Sequence, residues 1–286
     1  MVRFGPHVVA LIDFLGQSEE MEKWNFSPDT PEQMAEWLSA IRNSRGRVLE
    51  WRKNFEELFR QLKADSDAYM NQKTADLPPQ LRKELAEYRQ TPLHTAHFSD
   101  TLIFYSPLQN EREYRQVSNA ASMINTCGVL MLKALTEGTV FRGAIEVGML
   151  SQFPTGDPYG PALANAHALE AKVARYPRII VGSRLVSYLH DTSENSDTRW
   201  PTNANRKIAA LCQGLIAQDT DGYWIVDYLN DAFTPDATNR SLAETVQSQA
   251  CAFVQTEHEQ FMKEGNRKLA ERYWRLLAYF RSRGVT

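Results

Sequence analysis

The stretch VVALIDFLGQS, residues 8–18, reads as a buried strand that carries one carboxylate, Asp13, and then breaks at Leu15-Gly16 into small polar residues. A strand core keeps its side chains from water, and an unpaired carboxylate there costs several kcal/mol. The sequence therefore calls for a group near Asp13 that compensates its charge. The segment HTAHFSDTLIFYSP, residues 94–107, supplies a candidate neighbour, because it reads as two short strands meeting near Ser99-Asp100.

Between these segments lies a long polar region, about 31–88, interrupted by ADLPPQ. Trp37, Ile41, Val48, Trp51, Phe55, Leu58 and Leu62 recur there at mostly three- and four-residue steps, which predicts two or more amphipathic helices packed as cover. After the hairpin, Tyr114, Val117, Ala121, Ile124, Gly128, Met131 and Leu135 predict a helix with one buried face, and TVFRGAIEVGML predicts a strand. A helix over 159–174, a short strand in PRIIVG, a helix through SRLVSYLH and a polar loop over 191–207 follow. GLIAQDTDGYWIVDYL predicts a second hairpin turning at Asp221-Gly222. Two more helices follow, along Leu242, Val246, Ala250 and Phe253, then along Leu269, Tyr273, Leu276 and Phe280.

Strand, helix, hairpin, helix, strand is the order of an α+β fold with a ferredoxin-like split βαβ sheet and helices on one face. In that topology the first strand lies beside the hairpin, and Asp13 and Asp100 come together at one edge. The composition, 286 residues with 43% hydrophobic and a net charge of −3, supports a sizeable core and leaves no electrostatic footprint for duplex nucleic acid. No apolar run approaches a membrane span, and the N-terminus enters a strand pattern without a cleavage-site signature. A cytoplasmic protein is expected. Cys127, Cys212 and Cys251 are widely spaced and odd in number, the pattern of core cysteines rather than of a disulfide framework.

Two convergent carboxylates form a hard-oxygen site of the kind Mg²⁺ or Mn²⁺ prefers, with phosphate oxygens as remaining ligands. Two such ions can clamp the attacking and leaving oxygens of phosphoryl transfer. Backbone N–H groups at Leu15, Gly16, Gln17 and Ser18 can then approach phosphates. The structural alternatives are a helix cap for Asp13 and an ordinary turn residue for Asp100. No G-x-x-x-x-G-K-[ST] and no G-x-G-x-x-G is present. His94 and His97 point to opposite faces of a strand, which disfavours a two-histidine metal site, and no G-x-S-x-G anchors a serine hydrolase.

Four segments in order, LIDFLGQS, HFSDTLIFY, FRGAIEVG and DPYGPALANAHALE, resemble the class III nucleotidyl cyclase domain over residues 7 to about 182. The resemblance implies a sheet of the class III cyclase type and two metal ions held by Asp13, Asp100 and the Phe14 carbonyl. The purine-reading lysine of that family falls on Ala96, and a second base-reading position falls on Asp157. The family's ribose-binding asparagine and transition-state arginine fall on Ala164 and Ala168; Asn165 is one place away, about 100° around a helix. Arg142, Arg175 and Arg178 lie near the matched segments, with Arg142 in the strand that matches the family's R-x-G-I region, either as phosphate help or as a salt-bridging strand residue. Tyr159 is expected to pack against its neighbouring strand, and His97 to face the base or solvent.

These departures make the chain most similar to the pyrimidine cyclases of bacterial Pycsar antiphage systems. That resemblance implies UTP or CTP as substrate, a 3′,5′-cyclic monophosphate product that acts on a separate effector, and a homodimer with composite active sites. Residues 1–230 are then the catalytic domain with a helical insertion at about 28–90, and 231–286 a C-terminal helical extension packed on the same domain.

Overall fold

A computed structural model describes residues 3–15, 28–73, 75–76, 78–80, 82–83, 92–109, 115–154, 156–197, 202–233 and 237–286. Its elements are β1 (Arg3–Phe14), α1 (Pro31–Lys73), β2 (His94–Phe98), β3 (Thr101–Pro107), α2 (Val117–Thr136), β4 (Phe141–Gln152), β5 (Pro158–Tyr159), α3 (Pro161–Lys172), β6 (Ile179–Val181), α4 (Ser183–Ser193), α5 (Thr202–Gln213), β7 (Ile216–Gln218), β8 (Trp224–Val226), α6 (Ala237–Lys263) and α7 (Arg267–Ser282). Among the described residues the fold is α+β, one sheet with seven α-helices. The strand order is β2-β3-β1-β4-β6-β8-β7, with β5 on β4. Every named pair is antiparallel except β4 with β6. The first strand thus lies between the hairpin and β4, the adjacency expected from the order of the elements.

Strand alternation sends the two halves of β1 to different cores. Val8, Ala10, Ile12 and Phe14 join the larger cluster with α1 and α2, whereas Val9 and Leu11 join Tyr105, Leu150, Ala162 and Ala166 beneath α3. Helices therefore cover both faces, where the sequence had suggested one. The reason is local. Ala162 and Ala166 lie one turn apart, and the Ala162 backbone stands 3.5 Å from where a Cβ on Gly148 of β4 would be, so small residues let α3 approach the sheet closely. Gly160, before α3, has φ +150°, and a Cβ there would stand 2.7 Å from the Met149 carbonyl, which demands glycine.

The insertion differs from its expectation in continuity. A single helix runs 43 residues, Pro31–Lys73, because nothing before ADLPPQ breaks it; Gly46 is tolerated in its interior. Its middle packs through Val48, Trp51, Phe55 and Phe59. Pro79-Gln80 and Arg82-Lys83 are helical, while 84–91 lie outside the described residues. The expected polar loop over 191–207 is also partly helical: α4 continues to Ser193, and α5 begins at Thr202. Its polar opening TNANRK masks a buried face of Asn205, Ala209 and Cys212, with Asn205 donating to the Arg115 carbonyl at 3.1 Å.

The C-terminal helices share the larger core through Ala250, Cys251, Val254, Leu276, Leu277 and Phe280. Asp227, buried just after β8, accepts from the Tyr279 hydroxyl at 2.8 Å and from Arg283 Nε at 2.8 Å, tying the end of α7 to the sheet. All three cysteines are free and buried, as core residues, and burial pushes the Cys212 thiol up to about 12. No described helix is long and apolar enough to cross a membrane.

Candidate active site

The register of the sheet sets four side chains in one row. Phe98 faces Thr101, Thr101 faces Asp13, and Asp13 faces Arg142, across β2, β3, β1 and β4. Directly paired residues share a face, and for Asp13 it is the face under α3. Asp13 Oδ1 accepts from the Thr101 hydroxyl at 3.0 Å, and Oδ2 stands 3.4 Å from Arg142 Nη2. This is the compensation that the apolar strand required. From α3, buried Glu170 brings Oε1 to 2.6 Å from Arg142 Nε, an ion pair whose atoms lie off the line of a good hydrogen bond. Arg142 thus bridges two acids from different elements.

Asp100 sits in the two-residue turn between β2 and β3, next to Thr101. Ser99, the other turn residue, has φ +54°, as both common forms of a two-residue hairpin turn require at their first position. The turn carries Asp100 to the end of β1, near enough for its charge to act on Asp13. Burial raises the Asp13 carboxyl above its ordinary range, the Thr101 hydroxyl opposes this, the charge of Asp100 adds to it, and Arg142 opposes it. Glu170 is raised by burial in the same way, against the pull of Arg142 and with the charge of Asp13 adding to the rise.

The Phe14 ring packs between Trp51 and Phe141 on the α1 face. Its carbonyl is a separate matter. Leu15 N–H donates to the Val140 carbonyl at 2.9 Å, which continues the β1–β4 ladder and makes the odd positions of β1 the ones that bond to β4. Even positions, Phe14 included, then turn N–H and C=O toward β3 and the Asp100 turn. The same bond corrects one expectation: the Leu15 N–H is committed to the sheet and does not face a phosphate. Gly16, Gln17 and Ser18 lie outside the described residues.

The other nominated residues are not brought to Asp13. Asp157 is exposed at the far end of β4, where β5 sets Pro158 against Gln152 and Tyr159 against Ser151. From position 142 to 151 a strand spans about 30 Å. There Burial raises the Tyr105 hydroxyl, a contact with Gln152 opposes this, and the Asp157 charge adds to the rise. Tyr159 pairs through its backbone, but 73% of it is exposed, which corrects the expectation that it packs. Asn165 is half-buried on α3, beside the face of Ala162, Ala166 and Glu170 that meets the sheet. Arg175 is exposed, and Arg178 is buried in an ion-pair cluster of its own with Asp219 and Asp221.

Thr101 and Glu170 are the site residues that the sequence reading missed. Thr101 was available from hairpin register alone, as the residue that follows the turn opposite the end of β1. Glu170 is marked by the spacing Ala162, Ala166, Glu170, two small residues and then a carboxylate on one helix face.

The donor set suits hard cations. Two carboxylates whose charges act on each other, and a backbone carbonyl aimed toward the same turn, are oxygen ligands that would leave room for phosphate oxygens. Among the described residues no group of three or more His, Cys, Asp or Glu side chains gathers to hold a metal ion. Comparison with protein-family models, with curated proteins and with solved structures gives no match.

Proposed function

We propose that the chain is a nucleotidyl cyclase of the class III type, with a ferredoxin-like split βαβ sheet, that converts a pyrimidine nucleoside triphosphate, UTP ahead of CTP, into its 3′,5′-cyclic monophosphate and pyrophosphate. The observation that carries the reading is the meeting of Asp13, at the end of the central strand, with Asp100, in the turn of the adjoining hairpin. The Phe14 carbonyl turns toward the same hairpin turn. Bound Mg²⁺ or Mn²⁺ would supply Lewis-acid stabilisation of the 3′-oxyanion and of the triphosphate.

The chain's own residues have separable parts. Asp13 and Asp100 concentrate negative charge where cations must sit, and Thr101 fixes the Asp13 carboxylate through its hydroxyl. Arg142, at the edge of the same row, is a cation suited to phosphate oxygens. Ala96 withholds the lysine that purine cyclases use, which favours a pyrimidine base. Asp157 stands about 30 Å along β4 from the row of Asp13, farther than the base of one nucleotide lies from its α-phosphate. It can serve the base only in a site shared by two chains, so the active species is a homodimer with composite sites. The setting that fits is the bacterial cytoplasm, with the product acting on a separate effector in antiphage signalling of the Pycsar kind.

One observation favours a second reading, a nucleotide-binding dimerisation module without catalysis: Ala164 and Ala168 stand where the ribose and transition-state residues are expected. A single experiment separates the two. Purified protein with Mn²⁺ is given each ribonucleoside triphosphate in turn, and the products are identified by mass. Cyclic UMP with pyrophosphate is expected, and Asp13→Ala and Asp100→Ala should each lower turnover at least about a thousandfold while the fold persists. Nucleotide binding with no pyrophosphate released sinks the cyclase and leaves the module.

A further inference from the structure

Arg142 reaches two carboxylates at once, Asp13 on β1 and buried Glu170 on α3, with its Nη2 on the first and its Nε on the second. Resting on the divalent-cation reading above, we propose that Arg142 is the built-in counter-cation of Asp13, and that Glu170 is a positioning residue that retains Arg142 when a divalent cation claims Asp13. The two contacts are unequal. The Glu170 contact is at 2.6 Å to an acid 5% exposed, whereas the Asp13 contact is at 3.4 Å to an acid 20% exposed. The weaker and wetter contact is the one a cation can displace. A guanidinium that leaves Asp13 but stays on Glu170 avoids burying the glutamate's charge unpaired, which would be costly. The forked head of arginine is what permits one side chain to serve both acids.

The test is a thermodynamic cycle read by Mn²⁺ binding alone, with free Mn²⁺ followed by electron paramagnetic resonance and no nucleotide present. Arg142→Gln should tighten Mn²⁺ about three- to tenfold, because the competitor is gone, and Glu170→Gln should weaken it about as much, because Arg142 then rests on Asp13 alone. In the Arg142→Gln background, Glu170→Gln should change Mn²⁺ affinity less than about twofold. Charge effects through space alone would make the two changes additive, and that result overturns the proposal. Arg142→Lys keeps the charge without the fork, so it should shrink the coupling; unchanged coupling also overturns it. Wild-type protein that binds no Mn²⁺ removes the cation site and this proposal together. Mn²⁺ binding abolished by Asp13→Ala but with an additive cycle overturns this proposal and leaves the cation site standing.

Discussion

Two arginines in this molecule each hold two acids, and they do so in opposite ways. Arg178, just before β6, has its side chain 2% exposed. Its Nη1 pairs with Asp219, and its Nη2 pairs with Asp221 at 2.6 Å and donates to the Val173 carbonyl at 2.9 Å, with the Tyr176 ring 4.5 Å from the guanidinium. Arg142 is 21% exposed and, among the described residues, is held by the two acids described above, one of them at a long distance. The first is closed on all sides and joins the β7–β8 turn to the middle of the fold. The second is partly open to water. The contrast teaches that an arginine between acids is structural when both Nη groups are held by close partners away from water, and available for chemistry when one contact is left loose.

Substitution should break the comparison most sharply in stability. Arg178→Met leaves the buried Asp219 without its cation, with the Tyr176 hydroxyl and the Thr220 N–H as remaining donors, and should cost about 3–5 kcal/mol in urea unfolding. Arg142→Met should cost less, about 1–3 kcal/mol, with part of the loss recovered when Glu170→Gln is added. Equal losses at the two positions would remove the distinction. The pH dependence sharpens it further. Asp13 and Glu170 have raised values in the fold, so the folded state takes up protons before the unfolded chain does. Their contribution to stability therefore improves as pH falls from their raised folded values toward the ordinary carboxylate range. Asp221 is held low, first by its hydrogen bond to Arg178, so its contribution is full above the ordinary range and is lost as pH falls through its depressed folded value. Unfolding measured across mild acid should show the first slope flattened by Glu170→Gln, and the second, at lower pH, flattened by Asp221→Asn. The smallest effect belongs to Tyr159, whose ring is in water: Tyr159→Ser should move stability by less than about 0.5 kcal/mol.

Much of this was legible in the sequence because it depends on alternation and on turn chemistry. Asp13 announces itself as the one carboxylate in an apolar strand, and Ser99-Asp100 as the turn that must meet it. What stayed hidden depends on packing over distance. The second covered face could not be read from α3, whose small residues look like an ordinary helix until Gly148 is known to lie beneath Ala162. The row from Thr101 to Arg142 needs the register of three strands at once, and the role of Arg142 needs Glu170, which arrives from another layer. The start of α5 was hidden by polar residues that face inward and are satisfied there, as Asn205 is.

The clamp on Asp227 carries a further meaning for how the molecule can be handled. Arg283 and Tyr279 reach back to a carboxylate beside the sheet, so the last turn of α7 secures an edge hairpin from far along the chain. Clipping by a protease ahead of Arg283 would strip that acid of its counter-ion while every strand stayed intact. Affinity handles fused close behind position 283 would pull on the same latch, whereas a handle ahead of β1 would leave it alone.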